Sequence, residues 1–347
     1  MKPRSKSRQV RWTILAMGFA LIVSFPETRA IAGPTFYTIN PPTGGSAANA
    51  TSVNSKWVVA GAYTTQAPNT VGFTLDSDGE FKSFAVPNAS STILSAINTA
   101  GTLAGLYDKV GATRQGFLYK SGVVTTITPP GSASVFNIYL AENDSVAGNY
   151  YDANFNLHGF LYTAGKYTKI EVPTTMGSNS LLMGLNSAGL IVGNYTDSNG
   201  NPLAYTYWQG KYANFGPPNS YGTTITGVNE ASYIFGSYYT IPISRFNPAT
   251  GFVVKGGVFK DIVGPGINVY STFVVGVNNN GIVIGRTAPG PHSSAVSSFV
   301  VDANGAHAFV GPGTNYTIVR AINDGGVITG NYTDQNVTVL GSFVAYP

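Results

Sequence analysis

Along residues 35–347 the apolar runs are short, and each is closed within a few residues by Gly, Pro, Asn or Asp. One full cycle of the pattern is Gly184 to Pro218, GLNSAGLIVGNYTDSNGNPLAYTYWQGKYANFGPP. An Asn-x-x-Gly turn (Asn186, Gly189) leads into an apolar run that ends Gly-x-Tyr (Gly193, Tyr195), and a polar Asp/Asn/Gly loop follows. An aromatic strand (Ala204 to Trp208), a turn at Gly210, a further strand and a proline exit (Pro217, Pro218) complete the cycle. Runs of this length, rich in β-branched and aromatic residues and bounded by turn formers, predict strands. Leu190-Ile191-Val192 is continuously apolar, as an inner strand covered on both faces requires. Lys169-Ile170-Glu171-Val172 alternates, as an outer strand with one wet face requires.

The same cycle recurs along the chain. The Gly-x-Tyr glycines are Gly61, Gly105, Gly148, Gly193, Gly236, Gly285 and Gly330, spaced by 44, 43, 45, 43, 49 and 45 residues. Seven residues before each stand Asn54, Asn98, Ala141, Asn186, Asn229, Asn278 and Asn323. Asn at the first and Gly at the fourth position suit a type I turn. Gly101, Gly189, Gly281 and Gly326 keep that fourth position, while Trp57, Asp144 and Ser232 depart from it. The aromatic strand follows each time, at Phe73, Phe117, Phe160, Tyr205, Phe252, Phe299 and Phe343. After it, Gly79, Gly122, Gly165, Gly210, Gly257 and Gly305 mark hairpins, and Pro87, Pro129, Pro173, Pro217, Pro265 and Pro312 mark the exits.

The seventh copy lacks its last strand, and an extra one, Phe36-Tyr37-Thr38-Ile39, stands before the first copy. A closed ring makes use of that permutation, because the N-terminal strand completes the last sheet. Four strands in each of seven units predict an all-β, seven-bladed β-propeller over residues 33–347, its ring closed by pairing of the two terminal strands.

The units HGFLYTAGKYTKIEVP (158–173) and GLNSAGLIVGNYTD (184–197) resemble the exported bacterial proteins built of HAF repeats. The resemblance covers nearly all of residues 35–347, although His stands in its motif place only at His158, and the string at His307 is out of register. It implies an extracellular or envelope repeat protein and brings no catalytic residues.

The first 32 residues read separately, as a signal peptide. Lys2, Arg4, Lys6, Arg8 and Arg11 precede the apolar run Thr13–Phe25, and Ala30-Ile31-Ala32 offers a small-residue cleavage site. The run is shorter than the ~20 residues of a membrane-spanning helix, and no span is expected. Localisation is therefore read as secreted, periplasmic or envelope-bound. The whole chain has 19 Lys+Arg against 15 Asp+Glu, but removing the leader leaves 13 basic and 14 acidic residues, a net of −1. The basic balance belongs to the leader, which argues against a nucleic-acid partner. With no cysteine, thiol catalysis and cysteine-based metal sites are excluded.

Candidate chemistry is sparse, and no catalytic residue, resident metal or cofactor is assigned. Tyr63, Tyr107, Tyr150, Tyr195, Tyr238 and Tyr332 form a ring that either stacks sugars or packs between blades, and regular recurrence favours packing. Trp57 and Trp208 occupy or adjoin turns and are candidates for ligand stacking, with buried inter-blade packing the equal alternative for each. Glu142, Asp144, Glu230 and Arg286 interrupt otherwise uniform copies, and Glu142 and Arg286 join the ligand-binding candidates. Asp152, Asn154, Asn156 and Asp197, Asn199, Asn201 begin like calcium loops, with oxygens at alternate positions. Neither has the later bidentate Glu, and such residues also dominate plain turns. His158, His292 and His307 lie in different units without metal-ligand spacing.

The expected function is a non-enzymatic binding or surface-interaction protein, with glycan or protein ligands on the loop faces. An envelope hydrolase or lyase is the alternative; acidic, His or Arg side chains converging at one end of the channel would mark it. A structural envelope component is a second alternative.

Overall fold

The computed structural model describes residues 34–347 apart from 66–68, 112, 242–247, 267–268, 291–296, 312–315 and 334–338. The leader, His292 and Pro312 lie outside the described residues. The chain forms seven four-stranded antiparallel sheets. Blades 1 to 6 span residues 46–84, 91–127, 132–170, 178–215, 222–262 and 271–308. Blade 7 takes Tyr316–Ile322, Ile328–Thr333 and Val339–Tyr346 from the C-terminal end and Thr35–Ile39 from the other. Phe36 pairs with Ala345 and Ile39 with Ser342 in an antiparallel register, so the expected closure is present. The first strand of every blade touches the first strands of both neighbouring blades, and the circuit returns from blade 7 to blade 1. These first strands therefore surround the axis.

The continuous apolar run belongs to the second strand from the axis, Ile191–Thr196, where Ile191 and Val192 are fully buried between blades. The innermost strand of blade 4 is Ser178–Leu185, whose mixed pattern reflects one edge turned to the channel. The alternating outer strand is Lys166–Ile170; Glu171 and Val172 lie beyond it, in the exit.

The recurrent glycine is explained by crowding. At Gly148 an added Cβ would stand 2.2 Å from the Asn137 carbonyl oxygen and 2.9 Å from the Phe160 ring. The corresponding aromatic is fully buried in every blade, from Phe73 to Phe343. A bulge interrupts the pairing of every innermost strand, at the same point in six of them, for example between Leu182 and Gly184 and between Ile225 and Gly227, and two residues earlier in blade 3, between Val135 and Asn137. A bulge bends its strand and frees backbone groups, and neighbouring blades supply partners for several of them.

The recurrent asparagine links the blades. Asn54 Nδ2 donates to the Asn98 carbonyl at 2.9 Å, Asn186 to Asn229 at 3.1 Å, Asn229 to Val277 at 3.0 Å and Asn278 to Asn323 at 3.0 Å. Asn323 completes the circuit across the seam with the Asn54 carbonyl at 2.7 Å. Each Oδ1 meanwhile accepts the backbone N–H four residues on, as from Val58, Thr102 and Val327. Where Ala141 replaces Asn, Asn143 takes over by donating to the Ser187 carbonyl at 3.2 Å. The turn that the sequence predicts is therefore also a joint between blades, with buried amides satisfied at both ends.

Candidate functional site

Antiparallel order sends the Asn turns and the outer hairpins to one face of the disc, called here the turn face. Two features of that face hold candidate residues: the mouth of the channel and a cleft at the seam between blades 7 and 1.

The mouth is a cavity of about 290 Å³ whose rim includes Glu142, Glu230 and Asp324. Three carboxylates thus gather at one end of the channel, but each is engaged. Glu142 accepts from the Thr99 N–H at 2.9 Å and the Thr99 hydroxyl at 3.0 Å. Glu230 accepts from the Ser187 N–H at 2.9 Å and the Glu142 N–H at 3.0 Å. Asp324 accepts from the Asn279 N–H and Nδ2 at 2.8 and 2.9 Å. They form a second tier of inter-blade links above the asparagines.

The seam cleft has a volume of about 630 Å³. Tyr37 comes from the closing strand, Tyr346 from its partner, and Trp57, Asp76, Asp78 and Phe81 from blade 1. Blade 7 has no outer hairpin, because its third strand ends at Tyr346 and its fourth begins at Thr35. The cleft opens at that place. Tyr346 packs against Trp57 and Tyr37 with ring centroids 5.4 and 5.6 Å apart. Tyr37 and Trp57 remain 55% and 38% exposed. Burial, then the nearby Tyr37 and Asp76, raise the Tyr346 hydroxyl's pKa above its ordinary value. Asp76 is fixed at one oxygen, Oδ1, by the Asp78 and Glu80 N–H groups at 3.1 and 2.8 Å.

Trp57 stands at the turn position where four blades have glycine, and its φ is +67°. For a bulky residue this backbone conformation costs on the order of 1 kcal/mol. Asp144 (φ +64°) and Ser232 (φ +61°) share the position and the strain. Both hold the asparagine of the preceding blade: Asn98 donates to Asp144 at 2.8 Å and Asn186 to Ser232 at 3.1 Å. Against the opposing effect of burial, hydrogen bonds from Lys120, Thr102 and Asn98 hold the Asp144 carboxyl below its usual range. Trp57 makes no such link, because its indole has no acceptor for Asn323, which donates to the Asn54 carbonyl. Its indole lies over Gly325, where a Cβ would come within 2.7 Å of Nε1.

The remaining candidates are dispersed. Trp208 is 51% exposed on the same face in blade 4, and its Nε1 donates to the Ala188 carbonyl at 3.4 Å. It shares no cleft with Trp57. Arg286 lies on the second strand of blade 6, half-buried, away from both features. The six tyrosines are buried, with hydroxyls turned to the outer strand in several copies: Tyr63 to Ser83, Tyr195 to Asn214 and Tyr238 to Asp261. They pack between blades and offer no face to a sugar.

In the loop of Asp152, Asn154 and Asn156, Asp152 Oδ1 accepts the Asn154 and Asn156 N–H groups at 2.8 and 2.9 Å. Asp197 treats Asn199 and Asn201 in the same way, both at 2.8 Å. Asn156 and Asn201 turn Nδ2, not Oδ1, to these carboxylates. The loops are thus tied by their own N–H donors, which depress the pKa of both aspartates. His158 is clasped between Glu171 at Nδ1 and Asp152 at Nε2, against the Tyr150 ring. His307 Nε2 lies 3.4 Å from the Asp302 carboxylate. Among the described residues no His, Asp and Glu side chains gather as a metal site, and no helix is long and apolar enough to cross a membrane.

Sequence reasoning missed Tyr37, Tyr346, Asp76, Asp78 and Asp324. Only Asp324 carried a usable signal, since it follows a turn asparagine as Glu230 does.

No family model and no curated protein matches the chain. Its fold is similar to the β-propeller domain of the trilobed protease from Pyrococcus furiosus, with a TM-score of 0.59 at 10% identity over 87% of this chain and 95% of that one. It is also similar to the acylaminoacyl peptidase of Pyrococcus horikoshii, with a TM-score of 0.56 at 12% identity over 83% of this chain. The match covers 49% of that peptidase, about half its length. At such identities the likeness establishes the propeller fold alone. The first of these domains is described as having an open velcro topology, whereas here the terminal strands pair.

Proposed function

We propose that the chain is an exported, non-enzymatic binding protein that takes a glycan in the seam cleft of its turn face. The observation carrying this reading is Trp57, a strained residue that packs on Tyr346 of blade 7 with no inter-blade hydrogen bond of its side chain among the described residues, and that walls the cleft with Tyr37 and Tyr346. Aromatic faces stack on the apolar side of a sugar ring, and the free oxygens of Asp76 and Asp78 accept its hydroxyls. Export rests on the leader and on the likeness to HAF-repeat proteins, and cleavage after Ala32 is the corresponding expectation. The hydrolase alternative is less favoured, because Glu142, Glu230 and Asp324 are occupied by N–H donors of neighbouring turns.

A glycan array followed by calorimetry on the best ligand tests the reading. Binding should be lost in Trp57→Gly and kept in Trp208→Ala. An array without hits, or a Trp57→Gly variant that binds normally, removes the proposal.

A further inference from the structure

The hairpin between the third and fourth strands is different in blade 1. In blades 2 to 6 it has two residues, as at Gln209-Gly210 and Gly256-Gly257, and none of them is charged. In blade 1 the ladder ends at the pair of Leu75 and Phe81, which leaves a five-residue loop, Asp76-Ser77-Asp78-Gly79-Glu80. Three carboxylates therefore enter the fold at the hairpin that borders the seam cleft.

Two of them are left for a ligand. Asp76 and Asp78 line the cleft together with Tyr37, Trp57 and Tyr346. Asp76 commits only Oδ1 to its own loop, where it accepts the Asp78 and Glu80 N–H groups at 3.1 and 2.8 Å. Glu80 is offset by Lys82 at 2.7 Å. Among the described residues no lysine or arginine pairs with Asp76 or Asp78. Lys56, the neighbour of Trp57, does not line the cleft, and no other basic side chain does.

Stacking on a neutral sugar requires the rings alone. Carboxylates without a counter-ion beside three aromatic rings suit a cation. We infer that the seam cleft selects an amino sugar with a free, protonated amine, such as a glucosamine oligomer, over its uncharged N-acetylated counterpart. The inference rests on the glycan reading and names the class of glycan. The faces of Trp57, Tyr37 and Tyr346 attract the ammonium as well as the apolar side of the sugar ring. Asp76 Oδ2 and the Asp78 carboxylate accept the ammonium N–H groups in charge-assisted hydrogen bonds. An acidic glycan meets like charge in the same place. The cleft, at about 630 Å³, has the size of a small-molecule site.

Calorimetry of the full protein at about pH 6, where the amine carries its proton, compares glucosamine and N-acetylglucosamine oligomers of matched length. The charged oligomer should bind about tenfold tighter or more. Added sodium chloride should weaken it and leave the neutral oligomer nearly unchanged. Asp76→Asn keeps an Oδ1 for the loop N–H groups and removes the charge. It should melt with the parent, lose about tenfold in affinity for glucosamine and bind the neutral oligomer as before. Asp78→Asn, at an exposed position, should act in the same direction and decides the outcome if the first variant fails to fold. Equal affinity for the two oligomers, or an undiminished preference in both variants, overturns the inference and leaves the glycan reading standing. Binding of neither oligomer removes both. A trilysine peptide that binds more tightly than the glucosamine oligomer assigns the cleft to a protein amine and overturns the amino sugar.

Discussion

In blade 4 the third strand passes to the fourth through Gln209 and Gly210, both with positive φ, a two-residue hairpin turn. In blade 7 the third strand stops at Tyr346, and its neighbour, Thr35–Ile39, arrives from the other end of the chain. Each of these junctions has five paired positions, so the sheet itself does not register the missing covalent link. The packing is also alike. Ile39 is buried as Ile170 and Ile262 are, and Phe36 packs at a tilt on Phe343, with ring centroids 5.5 Å apart. What changes is the end of the blade. A hairpin fills the rim in blade 4, whereas in blade 7 no hairpin joins the two strands and a cleft lies there, lined by Trp57 and Tyr37. The junction that closes the ring is thus also the place where the turn face carries a cleft.

The largest effect is expected from removing the non-covalent strand. Deleting residues 34–42 uncovers Phe343 and removes Ile39, two large side chains worth about 1.5–3 kcal/mol each. The loss is on the order of 5 kcal/mol of a total of about 5–15, and the melting temperature should fall by roughly 10 °C or more. Unchanged melting of the truncated chain would contradict closure by this strand.

The asparagine circuit sets the next scale. Asn323→Ala, which breaks the link across the seam, should cost about 1–3 kcal/mol because buried backbone groups lose their partners. Asn278→Ala breaks the same link between blades 6 and 7 and should cost a similar amount locally. Faster hydrogen exchange at Phe36–Ile39 is expected only for Asn323→Ala. Equal exchange there in both variants would show that the seam is no weaker than other joints.

The turn residues provide the smallest and sharpest contrast. Trp57→Gly relieves about 1 kcal/mol of backbone strain and gives up an aromatic pair worth about 0.5–1.5 kcal/mol. Its melting temperature should therefore stay close to the parent's. Asp144→Gly relieves the same strain but loses Asn98 and Lys120, and it should melt lower. If Trp57→Gly is the more destabilised of the two, Trp57 is a structural residue and the cleft loses its main support.

Much of the architecture was legible because a propeller repeats its local chemistry. The glycines, buried aromatics and hairpins recur at a spacing of 43 to 49 residues, and the displaced strand at Phe36–Ile39 implies closure from the sequence alone. The second strand was legible only as an inner one, because the true innermost strand has a wet edge that breaks its apolar pattern. The asparagine was legible as a turn residue, but its Nδ2 acts on the next blade some 44 residues away, which no local pattern encodes. Trp57 and Arg286 could be singled out because each departs from its own repeat. Tyr37, Tyr346, Asp76 and Asp78 could not, since each is ordinary in its strand or turn.

By itself, the sequence determined the blade: its strand count, its turns, its buried faces and the number of copies. These follow from short-range sterics and burial, and every copy repeats them. The tertiary structure alone decided what lies between blades and at the seam, including which carboxylates are occupied and where a cleft opens. Those properties arise from groups far apart in the chain, whose distances are set only when the ring closes.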